Sequence, residues 1–121
     1  MSKLNKKTNQ NLVDLIDQLK EQSRETGSAL WRDVALRLSS SRSNWAQPNL
    51  SRVSRHAPQG VTVVIPGKLL GSGEVAGSPT IAAYSASTGA KEKVKAAGGK
   101  ILTLPELMKE NPDGKEVIIL G

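Results

Sequence analysis

The chain has 121 residues with 17 Lys+Arg against 11 Asp+Glu, one His, no Cys, no Phe and a formal net charge of +6. The absence of cysteine excludes disulfide frameworks, thiolate chemistry, iron–sulfur clusters and every Cys-containing zinc site, and His56 alone supports neither a paired-His metal site nor most hydrolase relays. Leu, Ile and Val supply 29 residues, enough for an aliphatic core in one domain, or one domain with an arm. Met1 to Lys7 is polar and basic with no apolar stretch behind it, and the longest aliphatic runs are far short of a membrane span, so neither export nor membrane insertion is expected.

Charge divides the chain at Gly60. Residues 1–60 carry 10 basic and 5 acidic side chains, and residues 61–121 carry 7 and 6. All six arginines lie before His56, and no acid occurs in the 40 positions between Asp33 and Glu74. A polyphosphate partner favours such a surface, because a carboxylate there would be desolvated beside like charge.

In chain order, residues 1–8 read as a basic arm. Leu12, Leu15, Ile16 and Leu19 follow the i, i+3, i+4, i+7 pattern of a helix over about 10–25, with Asp14 and Asp17 early and Lys20 and Arg24 late, as the helix dipole favours. Gly27 ends it and Ser28 is a candidate N-cap for a second helix over 29–38, whose apolar stripe is Trp31, Val34, Ala35 and Leu38. Ser39 to Pro48 has no apolar period and reads as an irregular loop. Asn49 can cap a short helix with Leu50 and Val53 on one side and Arg52, Arg55 and His56 on the other.

Beyond Gly60 four strands are expected, at Val61–Ile65, Thr80–Tyr84, Lys100–Thr103 and Glu116–Leu120, with a glycine-rich turn over Pro66–Gly77. Ser87 caps a helix over Lys91–Ala97. Thr103 with Glu106 forms a capping box opening a helix over Leu104–Glu110, and Asn111-Pro-Asp-Gly114 is a turn into the last strand. The fold expected is α/β: 1–60 as arm, helical hairpin and RNA-binding loop, and 61–121 as a compact α/β domain.

Pro66-Gly67-Lys68-Leu69-Leu70-Gly71-Ser72-Gly73 resembles a phosphate loop only superficially. No Lys-Ser/Thr follows its last glycine, and Glu74 to Pro79 cannot open a regular helix. An enzyme built on Lys68 and Glu74 lacks a convergent acid, base and nucleophile set. With Tyr84 the single tyrosine and no Phe, platform-type single-strand binding is disfavoured, and recognition of folded RNA by phosphate position and shape is favoured: Arg forks phosphate oxygens, while Ser and Asn add short donors. Trp45 either stacks on a base or anchors its loop. The candidate RNA-binding set is Lys3, Lys6, Lys7, Arg24, Arg37, Ser41, Arg42, Asn44, Trp45, Asn49, Arg52, Arg55, His56 and Lys68, with the three arm lysines and Arg24 neutralising phosphate.

Leu38, Ser41-Arg42, Ala46, Asn49-Leu50 and Arg52-Val53 together resemble the signature of the archaeal and eukaryotic large-subunit ribosomal protein L-eighteen-e family, related to bacterial ribosomal protein L-fifteen. Val64 to Gly73, Tyr84-Ser85 with Ala90 and Lys93, and Asn111 to Ile119 extend the resemblance across essentially the whole chain. Trp45, Pro48 and Leu36 depart from the family's usual His or Arg, aliphatic and charged residues. The resemblance implies a structural constituent of the large subunit in the cytoplasm, with an N-terminal helical region and an irregular ββα superhelix. It further implies binding to large-subunit rRNA and neighbouring ribosomal proteins, and no catalysis, metal, cofactor, membrane or small-molecule substrate. The alternative is a basic protein-interaction module acting off the ribosome.

Overall fold

A computed structural model describes residues 3–40, 45–56 and 60–120, with residues 3–10 as backbone alone. The elements in order are α1 (Lys3–Thr26), α2 (Ala29–Ser39), α3 (Leu50–His56), β1 (Thr62–Leu69), β2 (Thr80–Ala86), α4 (Thr88–Ala96), β3 (Lys100–Leu102), α5 (Leu104–Glu110) and β4 (Val117–Ile119). The four strands form one sheet in the order β3-β2-β1-β4, with every pair parallel. The α/β expectation therefore takes the form of a parallel sheet covered by helices on both faces.

Side-chain alternation along the strands assigns the two covers. On one face Val64, Ala82, Leu102, Val117 and Ile119 pack with Leu19, Trp31, Val34, Ala35 and Leu38 of α1 and α2 and with Leu104, Leu107 and Met108 of α5. On the other, Val63, Ile65, Leu69, Ile81, Ala83, Ile101, Ile118 and Leu120 pack with Leu50 and Val53 of α3 and Ala90 and Val94 of α4. Both clusters thus draw on residues from either side of residue 60. The chain steps β1-β2-β3 across the sheet with α4 on the second face, then returns to β4 beyond β1 with α5 on the first. Right-handed crossovers require this change of face when the direction reverses.

The local signals act as their chemistry dictates. Gly27 takes φ +73° and its N–H bonds Ser23 O at 2.9 Å, ending α1. Ser87 Oγ accepts from Ala90 N at the start of α4. Thr103 and Glu106 complete the reciprocal capping box on α5, and these hydrogen bonds from the Thr103 backbone and side chain hold the Glu106 carboxyl below its usual range. The turn after α5 is closed by Asn111, whose side chain bonds the Lys115 carbonyl and amide at 2.8 and 3.2 Å.

Four expectations change. The first helix begins at Lys3, not near residue 10, so the expected arm from residue 3 onward is helical. No Gly or Pro interrupts 3–26, and helix persists ahead of the apolar stripe that announces it. Ser28 occupies the N-cap position of α2 in extended conformation, but its side chain makes no cap bond. The fourth helix opens at Thr88, directly after its cap, not at Lys91.

The largest change concerns the glycine-rich segment. β1 runs through Pro66-Gly67 to Leu69, and the connecting loop is 70–79. Pro66 and Gly67 lie where the β1–β2 register shifts from Ile65↔Ala83 to Lys68↔Ser85, an irregularity in which a missing N–H is tolerated. Gly67 is buried, and a Cβ on it would stand 2.1 Å from Ala46 O. Its role is close backbone approach, not a turn.

Candidate nucleic-acid interface

The segment from Ala46 to Ser51 lies along the second half of β1, on the edge that β4 occupies along the first half. It forms parallel bridges Ala46↔Gly67 and Asn49↔Leu70. Lys68 N bonds Ala46 O at 3.0 Å, Leu70 N bonds Pro48 O at 2.9 Å, Leu50 N bonds Leu70 O at 3.1 Å and Ser51 N bonds Ser72 O at 3.2 Å. The segment leading into α3 is therefore anchored along β1, which fixes the entry of the helix. Asn49 O accepts from Arg52 N and Val53 N at 3.0 and 3.2 Å, beginning α3 at the expected place.

On α3, burial of Leu50 and Val53 leaves Arg52, Arg55 and His56 exposed. Their i, i+3, i+4 spacing puts all three in one stripe on a helix without an acid. Lys68, the one exposed side chain of β1, belongs to a second group. Together with Trp45, Gln47, Gly67, Tyr84 and Ser85 it lines a cleft of roughly 290 Å³.

Trp45 is an anchor within this cleft. Its ring meets Tyr84 edge-on with centroids 5.0 Å apart, and its Nε1 donates to Ser40 O at 3.1 Å. Pro48 is buried and Leu36 is 51% exposed.

The remaining candidates are more scattered. Arg37 lies in the last turn of α2 and bonds Asp33 Oδ1 at 3.1 Å, an exposed i, i+4 pair that contributes little stability and leaves the guanidinium accessible. Arg24 pairs with Glu21 near the end of α1. Lys3, Lys6 and Lys7 occupy the opposite end of that helix, roughly 26–32 Å from Arg24 along its axis at 1.5 Å per residue. Ser41, Arg42 and Asn44 lie outside the described residues. Among the described residues, Arg52, Arg55 and Lys68 have no carboxylate within ion-pair distance.

Two contributors escaped the sequence reading. Gly67 looked like punctuation, and Lys93 was visible only as part of the family pattern. Its ammonium donates to Gly71 O at 2.7 Å and Gly73 O at 3.0 Å.

Comparison with known proteins gives the chain's family. The sequence matches the family described as "Ribosomal protein 60S L18 and 50S L18e" over residues 1–121. The chain belongs to this family. A protein of Methanospirillum hungatei, called large ribosomal subunit protein eL18, is 42% identical over 120 residues, 99% of each chain. Proteins of the same name from Methanothermobacter thermautotrophicus and Picrophilus torridus are 42% identical over 114 residues (94% of each chain) and 43% identical over 118 residues (98% of this chain, 97% of the relative). The family is one of structural, non-catalytic ribosomal proteins, and the enzyme reading of the glycine loop lapses with it. Among the described residues no helix is long and apolar enough to cross a membrane.

Proposed function

We propose that this chain is a large-subunit constituent that binds large-subunit rRNA through the acid-free segment 34–73 and packs against neighbouring ribosomal proteins with its remaining surface. The observation that carries the reading is the α3 stripe of Arg52, Arg55 and His56, on a helix whose other side is in the core, with no carboxylate paired to either arginine among the described residues. An unpaired guanidinium held on a rigid helix loses little freedom when it forks a phosphate.

Lys68 in the Trp45–Tyr84 cleft adds a point charge on the other side of the bridged segment Ala46–Asn49. Trp45 contributes by holding that segment, with its indole N–H already bonded within the protein. The division at residue 60 is one of surface charge: +5 for residues 1–60 (10 basic, 5 acidic) and +1 for residues 61–121 (7 basic, 6 acidic).

The test is binding of the isolated protein to large-subunit rRNA across a salt series. Neutralising four to six phosphates gives a slope of about −3 to −5 in log affinity against log salt, from about −0.7 to −0.9 per phosphate. A slope near zero, or equal binding to an acidic polypeptide, would favour an interaction module acting elsewhere.

A further inference from the structure

α4 carries three lysines, all exposed, and one of them reaches across to a loop. Lys91 and Lys95 border a cleft floored by Ala83, Ile101 and Leu102, whereas the Lys93 ammonium meets two carbonyls of the β1–β2 connection, Gly71 O and Gly73 O. An ammonium has three donors, and two of them are engaged here with backbone.

The same loop is bonded from its other side to α3. Leu70 O and Ser72 O accept from Leu50 N and Ser51 N, in alternation with the carbonyls taken by Lys93. Further along, Ser54 Oγ donates to Glu74 O and accepts from Ala76 N, each at 3.0 Å. At two of the loop's positions there is no room for a side chain. A Cβ on Gly71 would stand 2.8 Å from Ala90 N of α4, and one on Gly73, where φ is +93°, would stand 2.5 Å from Ser51 Cβ of α3. The loop thus meets α4 closely at Gly71 and α3 closely at Gly73, bonded to α3 by amides and a hydroxyl and to α4, among the described residues, by the Lys93 ammonium.

We propose that Lys93 is a positioning residue for RNA binding: by holding Gly71 and Gly73 it presses the loop against Ser51 and Ser54 and sets the direction in which Arg52 and Arg55 project. This rests on the reading that the α3 stripe meets rRNA. Lys93 need not touch RNA itself.

The experiment is a double-mutant cycle between Lys93→Met and the pair Arg52→Ala/Arg55→Ala, with Lys93→Arg as the conservative control, read by rRNA affinity, melting and amide exchange of the full chain. Lys93→Met is expected to leave melting within a few degrees while speeding exchange at the Ser51 and Ala76 amides about tenfold, because only the loop is loosened. rRNA affinity falls about fivefold to tenfold, Lys93→Arg recovers part of it, and in the double-alanine background Lys93→Met adds nothing.

Additive losses with unchanged exchange would make Lys93 a direct phosphate ligand and overturn the proposal. Faster exchange with undiminished affinity would overturn it too, by showing that the loop does not position the stripe. If Arg52→Ala/Arg55→Ala itself binds rRNA as tightly as the natural chain, the RNA-facing reading of α3 fails, and the proposal fails with it.

Discussion

Replacing Trp31 by Ala is expected to lower the melting temperature by on the order of 10–20 °C, a loss of about 3–5 kcal/mol. Trp31 is the largest of the fully buried side chains, in the cluster that joins α1 and α2 to the sheet and to α5. Its Nε1 donates to Pro112 O at 2.8 Å, and Gln22 of α1 reaches the same carbonyl at 3.1 Å. One indole therefore fastens the N-terminal hairpin to the turn before β4. Truncation leaves a cavity and removes that bond, and the cost is a large part of the roughly 5–15 kcal/mol by which such domains are stable. Because both clusters include residues from either side of residue 60, the variant should still unfold in one transition. Differential scanning calorimetry checks both statements. A shift under about 2 °C would contradict the role of Trp31, and two separated transitions would contradict the shared core.

Arg52→Ala/Arg55→Ala should behave in the opposite way. Both side chains are exposed on α3 and unpaired with carboxylates among the described residues, so their loss changes stability by only a few tenths of a kcal/mol each. Affinity for rRNA should fall on the order of a hundredfold, about 1.5 kcal/mol for each charge-assisted hydrogen bond, and the salt slope should flatten by about 1.4 to 1.8 units. Filter binding beside thermal melting separates the two effects. Unfolding of this variant, or undiminished binding, would show that the stripe serves packing and not phosphate.

Much of the frame was legible because it is written in short-range chemistry. Short runs rich in β-branched and aromatic residues at Thr80–Tyr84 and Glu116–Leu120 announce strands, and Thr103-x-x-Glu106 announces the start of α5 to the residue. Pro66-Gly67 misled because those residues usually punctuate, whereas here a register shift absorbs the proline and the Ala46 carbonyl fills the space of the missing Cβ. That carbonyl is 21 residues away in sequence, and no local pattern encodes its approach.

The same limit applies to the site. Arg52, Arg55 and His56 could be placed on one stripe from helical spacing alone. The contact of Trp45 with Tyr84, 39 residues on, is encoded by no local pattern, and Lys93 meets Gly71 and Gly73 only because the loop folds back beside α4.

Whether the α3 stripe faces RNA phosphate is read from the density of an intact large subunit carrying this chain. Arg52 and Arg55 should lie within about 2.7–3.2 Å of phosphate oxygens, with Lys68 at the edge of the same contact. Finding both arginines facing solvent, or paired to carboxylates of neighbouring proteins, would contradict that reading.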